Sequence, residues 1–222
     1  MVDDADALVS RLARLDTCAL SDALDRLGVA GVALGLSAVS AGRRVAGAAI
    51  TVRLGLDDGR ASKRHLCTAA VDAARPGNVI VIAHDGRTDV AGWGGILSKG
   101  AVRNGVEGIV IDGACRDVDE AREMGLPVYA RACVPITARG RIIEIDWDVP
   151  VAIAGVDVAP GDLVLADASG VVFVPLARAA EAIAIAETIA AKERLMAEEV
   201  DRGSAMATVM GVDYEAMLSQ GR

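Results

Sequence analysis

The sequence predicts an α/β fold from three observations: an aromatic-poor apolar composition, strand and helix patterns that alternate, and short strands near the end. Hydrophobic residues make up 53% of the 222 residues, but aromatic residues make up only 2%. The core therefore has to be built from Ala, Val, Ile and Leu, which is typical of buried parallel strands and their covering helices. The length fits a single domain over residues 1–222.

Strand and helix patterns alternate through the middle of the chain. The predicted strands cover residues 43–54, 79–82, 108–111 and 127–132, and the predicted helices cover 62–74, 95–103 and 118–124. Ser62 is the expected cap of the first of these helices. Strands joined by helices at this spacing predict a parallel sheet with right-handed crossovers.

Both ends of the chain predict further helices, and short strands precede the last one. Leucines at helical spacing predict a helix over 4–15, and Thr17 is the expected cap of a second helix that Gly28 ends. Beyond Ile136, predicted strands at 141–145, 149–154, 163–166 and 171–174 indicate hairpins in an antiparallel or mixed β layer. Pro175 opens a long helix to about residue 200. We therefore expect N-terminal helices over 1–28 and a C-terminal helix and tail over 176–222.

Charge and cysteine usage bound the partners. The net charge of −8 and the pI near 4.8 argue against nucleic acid or an anionic membrane as partner. Four cysteines without a CxxC pair, and an acidic N-terminus, favour free thiols in a reducing cytoplasm. No uncharged apolar run reaches the roughly 18 residues that a membrane span needs.

A glycine turn opens one predicted helix. Gly94 and Gly95 stand between an apolar strand and the helix, where bare backbone can come close to a ligand. The first-turn amides of Ile96 and Leu97 would then bind a carboxylate at the positive end of the helix. The alternative is a tight turn without a ligand. The run is not a dinucleotide fingerprint, because Leu97 stands in place of the third glycine.

Arg116 and Asp117 follow the predicted strand 108–111. Gly113 indicates a loop at the carboxyl end of that strand, where sites of α/β proteins usually lie. Arginine offers a bidentate fork to a carboxylate, and a single aspartate can hold Mg²⁺ with substrate and water completing the shell. The alternative is a surface salt bridge in which Asp117 caps the next helix.

Other candidates carry weaker signals. His65 and His84 are the two histidines, and no zinc-binding spacing surrounds either. His84-Asp85 follows a predicted strand and could support a site there. Cys115 has no histidine partner in sequence, which favours a packed thiol. Lys63-Arg64 is either an anion patch or a solvated helix face.

Taken together, these motifs resemble the RraA-like family. The resemblance rests on residues 93–97 and 111–118 and continues through 125–131, and it extends to 20–28, 160–164 and 166–175. The family contains the class II 4-hydroxy-4-methyl-2-oxoglutarate / 4-carboxy-4-hydroxy-2-oxoadipate aldolases, and many members carry a misleading demethylmenaquinone methyltransferase label. The resemblance implies a three-layer α/β/β fold similar to swivelling phosphohistidine domains, assembled as a homotrimer or homohexamer with sites between subunits.

The resemblance also implies roles for site residues. Asp117 would hold Mg²⁺ or Mn²⁺, and Arg116 would bind the pyruvyl carboxylate or the keto oxygen. Amides at Ile96 and Leu97 would bind the carboxylate beside the glycines at 94 and 95. Arg116 and Asp117 are thus the predicted catalytic residues.

One departure from the family pattern concerns an acidic residue. The aldolases carry an acid 21 positions before the arginine, and this chain has Gly95 there. Asp85 or Asp89, expected in the preceding loop, could replace it. The resemblance further implies a glutamate from the neighbouring subunit's C-terminal helix that helps hold water at the metal, here Glu187 or Glu193.

Two functions follow as expectations. The first is a divalent-metal-dependent lyase that forms a pyruvate enolate from a small 2-oxo acid, by aldol cleavage or by decarboxylation of oxaloacetate. The second is a non-catalytic regulator of an RNA-degrading enzyme, as some family members are. The Arg116-Asp117 pair favours the lyase, and Gly95 favours the regulator.

Overall fold

Helices and strands alternate along the chain, which a computed structural model describes over residues 2–59 and 64–211. The helices are α1 Val2–Leu12, α2 Thr17–Leu27, α3 Thr68–Ala73, α4 Gly95–Arg103, α5 Val118–Glu123, α6 Leu176–Asp201 and α7 Met206–Val209. The strands are β1 Val32–Ala33, β2 Ser37–Ala38, β3 Val45–Leu56, β4 Asn78–Trp93, β5 Gly108–Cys115, β6 Val128–Cys133, β7 Ile142–Trp147, β8 Val151–Ile153, β9 Val156–Val158, β10 Leu163–Asp167 and β11 Gly170–Val174. Ser62, Lys63 and the tail 212–222 lie outside the described residues.

Four parallel strands form the centre of the main sheet. The sheet order is β1-β11-β10-β3-β4-β5-β6-β2, and β7 also pairs with β3. Strands β3, β4, β5 and β6 are parallel neighbours, with α3, α4 and α5 connecting them in turn. In-register β-branched residues, such as Ile50, Ile80 and Ile109, form this centre. The predicted parallel α/β core is confirmed.

Different elements cover the two faces of the central strands. On one face, Ile80, Ile82, Ile109 and Ile111 pack with residues of α3, α4 and α5 in one buried cluster. On the other face, the β8–β9 hairpin buries its valines and Ile153 in a cluster with Val79, Val81 and Val110. These are the helix, sheet and hairpin layers of the expected α/β/β fold.

The helices at the two ends of the chain pack together beside β10 and β11. Leucine, isoleucine and alanine side chains of α1, α2 and α6 share one buried cluster with Leu163, Leu165, Val172 and Val174. Asp162 fixes the start of α6, because its Oδ1 accepts a hydrogen bond from the Leu176 amide at 2.9 Å. Over the described part of the chain, no helix combines the length and apolar character needed to cross a bilayer.

Helix α2 begins one residue differently from the expectation. Asp16 is its N-cap and accepts from the Ala19 amide at 2.8 Å. The Thr17 hydroxyl instead donates to Asp167 at 2.7 Å. Gly28 ends the helix in the left-handed conformation, with φ of 62°, as predicted.

The region after residue 82 was predicted as a loop, and this is wrong. Strand β4 continues to Trp93, and three register shifts against β5 absorb the extra residues. Asp85 and Gly86 both adopt positive φ, at 52° and 67°, so the strand bends without leaving the sheet. The polar residues of this stretch do not show the apolar pattern of a strand, because the strand is formed through its pairing with β5.

The strands predicted after Ile136 are confirmed, and they form antiparallel pairs in a mixed β arrangement as expected. Strand β10 pairs antiparallel with β3, β11 pairs antiparallel with β10, and β7 pairs antiparallel with the far end of β3. Within the described residues, the β8–β9 hairpin alone forms a second sheet. The helix predicted over 62–74 is limited to Thr68–Ala73 in the described part, and β1, β2, β9 and α7 were not predicted. Local periodicity carries no signal for which distant strand a hairpin joins.

Candidate active site

The glycine turn lies between β4 and α4, and the side chains of Arg116 and Asp117 lie directly over it. A Cβ added to Gly94 would come within 2.9 Å of Asp117 Oδ2 and 3.3 Å of Arg116 Nε. Any larger residue at Gly94 would therefore push the pair away from the turn. The expected close approach to the glycine backbone is present. The groups that approach it are the side chains of Arg116 and Asp117.

Arg116 and Asp117 occupy the connection between β5 and α5. The Arg116 amide donates to the Trp93 carbonyl at 3.0 Å, and Asp117 adopts a left-handed φ of 56°. Asp117 Oδ2 accepts the Gly95 amide at 2.9 Å and lies 3.2 Å from Arg116 Nε. The pair thus forms a salt bridge, but Asp117 caps α4 and makes no capping bond to α5.

Two further backbone amides lie at the start of α4, beside the Arg116–Asp117 pair. Asp117 takes the Gly95 amide, while the Ile96 and Leu97 amides meet no acceptor in the described chain. Unpaired first-turn amides carry the positive end of the helix dipole. Ile96 is 85% exposed, so solvent or a ligand reaches this end of the helix.

All of these groups line one cavity of about 620 Å³. The residues that line it from the glycine turn and the β5–α5 connection are Gly94, Gly95, Ile96, Leu97, Arg116 and Asp117. The six predicted binding and catalytic positions are therefore brought together. A cavity of this size suits a small organic ligand.

Glu120 does not line the cavity itself, but its carboxylate lies at the glycine turn beside it, and the sequence reasoning missed it. Its carboxylate lies so close to Gly95 that a Cβ there would overlap Oε2, and the same Cβ would lie 3.2 Å from the Asp117 Cβ. A carboxylate thus occupies the space beside position 95, although the residue at 95 is glycine. The available signal was the spacing of Asp117 and Glu120, because residues three apart share one face of a helix.

Asp85 and Asp89 lie on β4 and do not line the cavity. Asp89 is paired with Arg87, whose hydrogen bonds hold the pKa of this carboxyl below its usual value. The distance between Arg87 Nη2 and Asp89 Oδ2 is 2.7 Å. Glu120, and neither of these aspartates, is the acid that the structure places at Gly95.

The two α6 glutamates also lie outside this cavity. Glu187 accepts two hydrogen bonds from Arg11, at 2.7 and 2.9 Å, which lower its pKa. Glu193 is half-buried, and this burial together with nearby Asp16 raises its pKa. Glu187 is thus tied to α1 in its own subunit.

His84 and Cys115 are packed groups. His84 is buried, its Nε2 lies 2.9 Å from the Val90 carbonyl, and burial lowers its pKa. Burial raises the pKa of Cys115 to about 12, which keeps the thiol protonated and unreactive. Neither residue lines the cavity, whereas His65 does.

The residues at the turn fit a hard divalent cation held by few protein ligands. Asp117 Oδ1 has no hydrogen-bond partner within the described residues, and the Glu120 carboxylate stands nearby. In residues 2–59 and 64–211, no three His, Cys, Asp or Glu side chains form a metal-binding group. Mg²⁺ commonly takes one or two carboxylates and completes its shell with substrate and water, whereas structural zinc needs four ligands.

Fold and site together define an α/β protein with a cavity at the end of parallel strands that is lined by Arg116, Asp117 and the start of α4. The chain belongs to the RraA-like family, because the family model described as Aldolase/RraA matches residues 17–173. The chain is similar to a provisionally named 4-hydroxy-4-methyl-2-oxoglutarate aldolase of Alcanivorax borkumensis, at 36% identity over 72% of this chain and 96% of that protein.

Two other relatives widen the functional range. Protein DlpA of Legionella pneumophila is 31% identical over 79% of this chain, which spans only 29% of the length of DlpA. A crystal structure of Streptomyces coelicolor RraAS2, an unusual member of the RNase ES inhibitor RraA protein family, has a TM-score of 0.73 and 31% identity to this chain. That match covers 88% of this chain and 96% of RraAS2.

Proposed function

We propose that this protein is a divalent-metal-dependent carbon–carbon lyase that releases pyruvate from a small 2-oxo acid. The reaction is retro-aldol cleavage of substrates like 4-hydroxy-4-methyl-2-oxoglutarate, β-decarboxylation of oxaloacetate, or both. The observation that carries the proposal is the meeting of Arg116, Asp117 and the open end of α4 in one cavity. The naming of the Alcanivorax relative supports it.

Arg116 and the start of α4 bind and orient the 2-oxo acid. The Arg116 side chain is 39% exposed and lines the cavity, so its remaining donors can meet a carboxylate or a keto oxygen. The Ile96 and Leu97 amides supply two further donors at the positive end of the helix. A carboxylate held between them would be fixed in one orientation at the cavity.

Asp117 is the residue that would hold Mg²⁺ or Mn²⁺. The hydrogen bond from the Gly95 amide and the contact with Arg116 orient its carboxylate and leave Oδ1 open. A bound divalent cation would polarise the 2-oxo group and stabilise the negative charge that develops as the bond to C3 breaks.

Glu120 is the group that would move a proton. Retro-aldol cleavage requires a base for the 4-hydroxyl proton, and both reactions require a proton to reach C3 afterwards. The Glu120 carboxylate stands at the backbone of Gly95, where the related aldolases have an acidic side chain. Glu120 would thus supply, from α5, the carboxylate that residue 95 lacks.

Assembly into a homotrimer or homohexamer remains a prediction from the family resemblance. If a neighbouring α6 contributes a glutamate, Glu193 is the better candidate, because Arg11 already binds Glu187 with two hydrogen bonds. A cytoplasmic location is likewise retained as a prediction from the sequence.

A regulator of an RNA-degrading enzyme is the second candidate. The similarity to RraAS2 at 31% identity favours it. A binding protein of this kind would capture a large ribonuclease from lysate and would show no heat of Mg²⁺ binding in calorimetry. An open Asp117 oxygen beside Glu120 favours the lyase.

Pyruvate release tests the proposed function directly. The purified full chain is assayed with oxaloacetate and with 4-hydroxy-4-methyl-2-oxoglutarate, in Mg²⁺, after chelation and after Mg²⁺ is restored. We expect turnover that chelation abolishes and Mg²⁺ recovers, and that Asp117→Asn lacks. Absence of metal-dependent turnover with both substrates would contradict the lyase.

A further inference from the structure

A second group of basic side chains lines the cavity away from the glycine turn. Arg64 and His65 come from the segment before α3, and Arg139 comes from the loop before β7. Asp57 is the acidic residue that lines the cavity with them. The cavity is therefore cationic at positions beyond Arg116, and a pyruvyl unit bound at α4 would not account for them.

The buried carboxylate of Glu144 contacts the segment that carries Arg64. The Glu144 side chain is only 2% exposed, and its Oε2 accepts the Cys67 amide at 2.7 Å. Its Oε1 lies 3.5 Å from Arg64 Nε. Glu144 thereby joins β7 to the segment that carries Arg64, at a point where Cys67 adopts a left-handed φ of 61°.

Arg64 and Arg139 differ in how firmly the protein holds their side chains. Arg64 is 41% exposed and rests against the buried Glu144, so part of its guanidinium is fixed and part faces the cavity. Arg139 is exposed and its side chain has no hydrogen-bond partner in the described residues. A guanidinium that the protein already orients loses less conformational freedom when it binds an anion.

We propose that Arg64, oriented by Glu144, binds a second carboxylate at the end of the substrate remote from the 2-oxo acid group. Arg64 is then the residue that makes the site select 2-oxo diacids over 2-oxo monoacids, and Glu144 is its positioning residue. This inference rests on the proposed function for the binding of the 2-oxo acid end by Arg116 and α4.

Equilibrium binding of two stable keto acids tests the assignment. The dissociation constants of pyruvate, with one carboxylate, and 2-oxoglutarate, with two, are measured by calorimetry on the full chain in Mg²⁺. We expect Arg64→Ala to weaken 2-oxoglutarate binding about 10- to 100-fold, the range for a hydrogen bond between charged groups, and to change pyruvate binding less than twofold. Arg178→Ala, which removes an exposed arginine of α6 paired with Glu181, is the matched control.

Glu144→Gln separates positioning from folding. The amide oxygen can still accept the Cys67 amide, but the charge beside Arg64 is lost. We expect a smaller loss of 2-oxoglutarate affinity in the same direction, pyruvate affinity unchanged, and a thermal midpoint close to that of the wild type. A purely structural Glu144 would weaken both ligands together.

The outcomes distinguish this inference from the proposed function. If the wild type binds neither keto acid in Mg²⁺, both fail. If pyruvate binds but Arg64→Ala leaves 2-oxoglutarate affinity unchanged, or weakens both ligands equally, the role of Arg64 alone is overturned. A selective loss in Arg139→Ala without one in Arg64→Ala also overturns it.

Discussion

Two arginine–aspartate pairs lie close together in the sequence but have different surroundings. Asp112 in β5 pairs with Arg131 in β6, and its Oδ2 also accepts the Ala154 amide of the β8–β9 hairpin at 2.7 Å. Its side chain is 8% exposed. Asp117, just past the end of β5, pairs with Arg116, is 34% exposed and keeps one oxygen without a partner in the described chain.

This difference shows why residue type alone does not identify a site. Both oxygens of Asp112 are used within the protein, where they fasten the hairpin layer to the sheet. Asp117 is held by one oxygen, at a cavity, with a helix end beside it. A satisfied buried pair contributes to the fold, whereas an oriented and incompletely satisfied pair at a cavity can bind a ligand.

The largest expected effect comes from the Arg116–Asp117 pair, in which one carboxylate oxygen has no partner in the described chain. Asp117→Asn keeps the shape of the side chain but removes the charge that a divalent cation requires. We expect kcat/KM for pyruvate release to fall at least about a thousandfold, which corresponds to several kcal/mol of transition-state stabilisation. The thermal midpoint should remain near that of the wild type, because the side chain is 34% exposed. A variant that keeps a tenth of the activity would contradict this assignment.

The Asp112–Arg131 pair, in which both carboxylate oxygens have partners, should show the opposite pattern: its loss should lower stability more than activity. Asp112→Ala leaves Arg131 and the Ala154 amide without their partner, and we expect a loss of about 3 kcal/mol in unfolding free energy. This is the low end for breaking a buried pair, because Arg131 is 29% exposed. Urea unfolding measures the loss, and Asp112→Asn, which keeps an acceptor, should lose less. A stable Asp112→Ala protein with strongly reduced activity would place this pair in the site.

An intermediate effect is expected from replacing Glu120, which lies with Asp117 beside Gly95. Glu120→Ala should lower kcat about 100-fold, within the usual range for one acid–base group. The double variant Gly95→Asp with Glu120→Ala returns a carboxylate to the same space and should recover part of that loss. Gly95→Asp alone is the control, because its side chain collides with the Glu120 carboxylate. A wild-type rate in Glu120→Ala would remove Glu120 from the mechanism.

The smallest expected effect is a pH dependence of stability from His84, which packs against Gly92 and Gly113. Burial lowers its pKa in the folded protein, so below about pH 6.5 the unfolded chain takes up a proton that the folded one refuses. Stability should be full above that pH and decrease as the pH falls toward the folded pKa, by at most about 1.4 kcal/mol per pH unit. Urea unfolding of wild type and His84→Gln between pH 5 and 8 checks this. Equal slopes in the two proteins would contradict it.

The elements that the sequence predicted well are those whose signals are local. The span Gly95–Arg103 of α4 was predicted residue for residue, because glycines open it and a helical pattern follows. The end of α2 at Gly28 and the α/β core followed from similar signals. Strand β4 was cut short at residue 82, because the polar stretch after it stays in the sheet only through pairing with β5.

The candidate site divides in the same way. Sequence motifs identified Gly94, Gly95, Arg116 and Asp117, and the fold gathers them at one cavity. Asp85 and Asp89 were proposed because they precede the turn in sequence, but their strand carries them elsewhere. Glu120 was missed because it meets Gly95 only where α4 and α5 pack side by side.

The sequence by itself determined the α/β class, the glycine-opened helix and the arginine–aspartate pair, because backbone conformation, side-chain chemistry and short-range periodicity are local properties. The tertiary structure decided which carboxylate has hydrogen-bond partners on both oxygens and which does not. It also decided that the Glu120 carboxylate fills the space at Gly95 and that Glu144 contacts Arg64 at the cavity. These are properties of distant segments brought together, and burial and hydrogen-bond satisfaction exist only once those segments have packed.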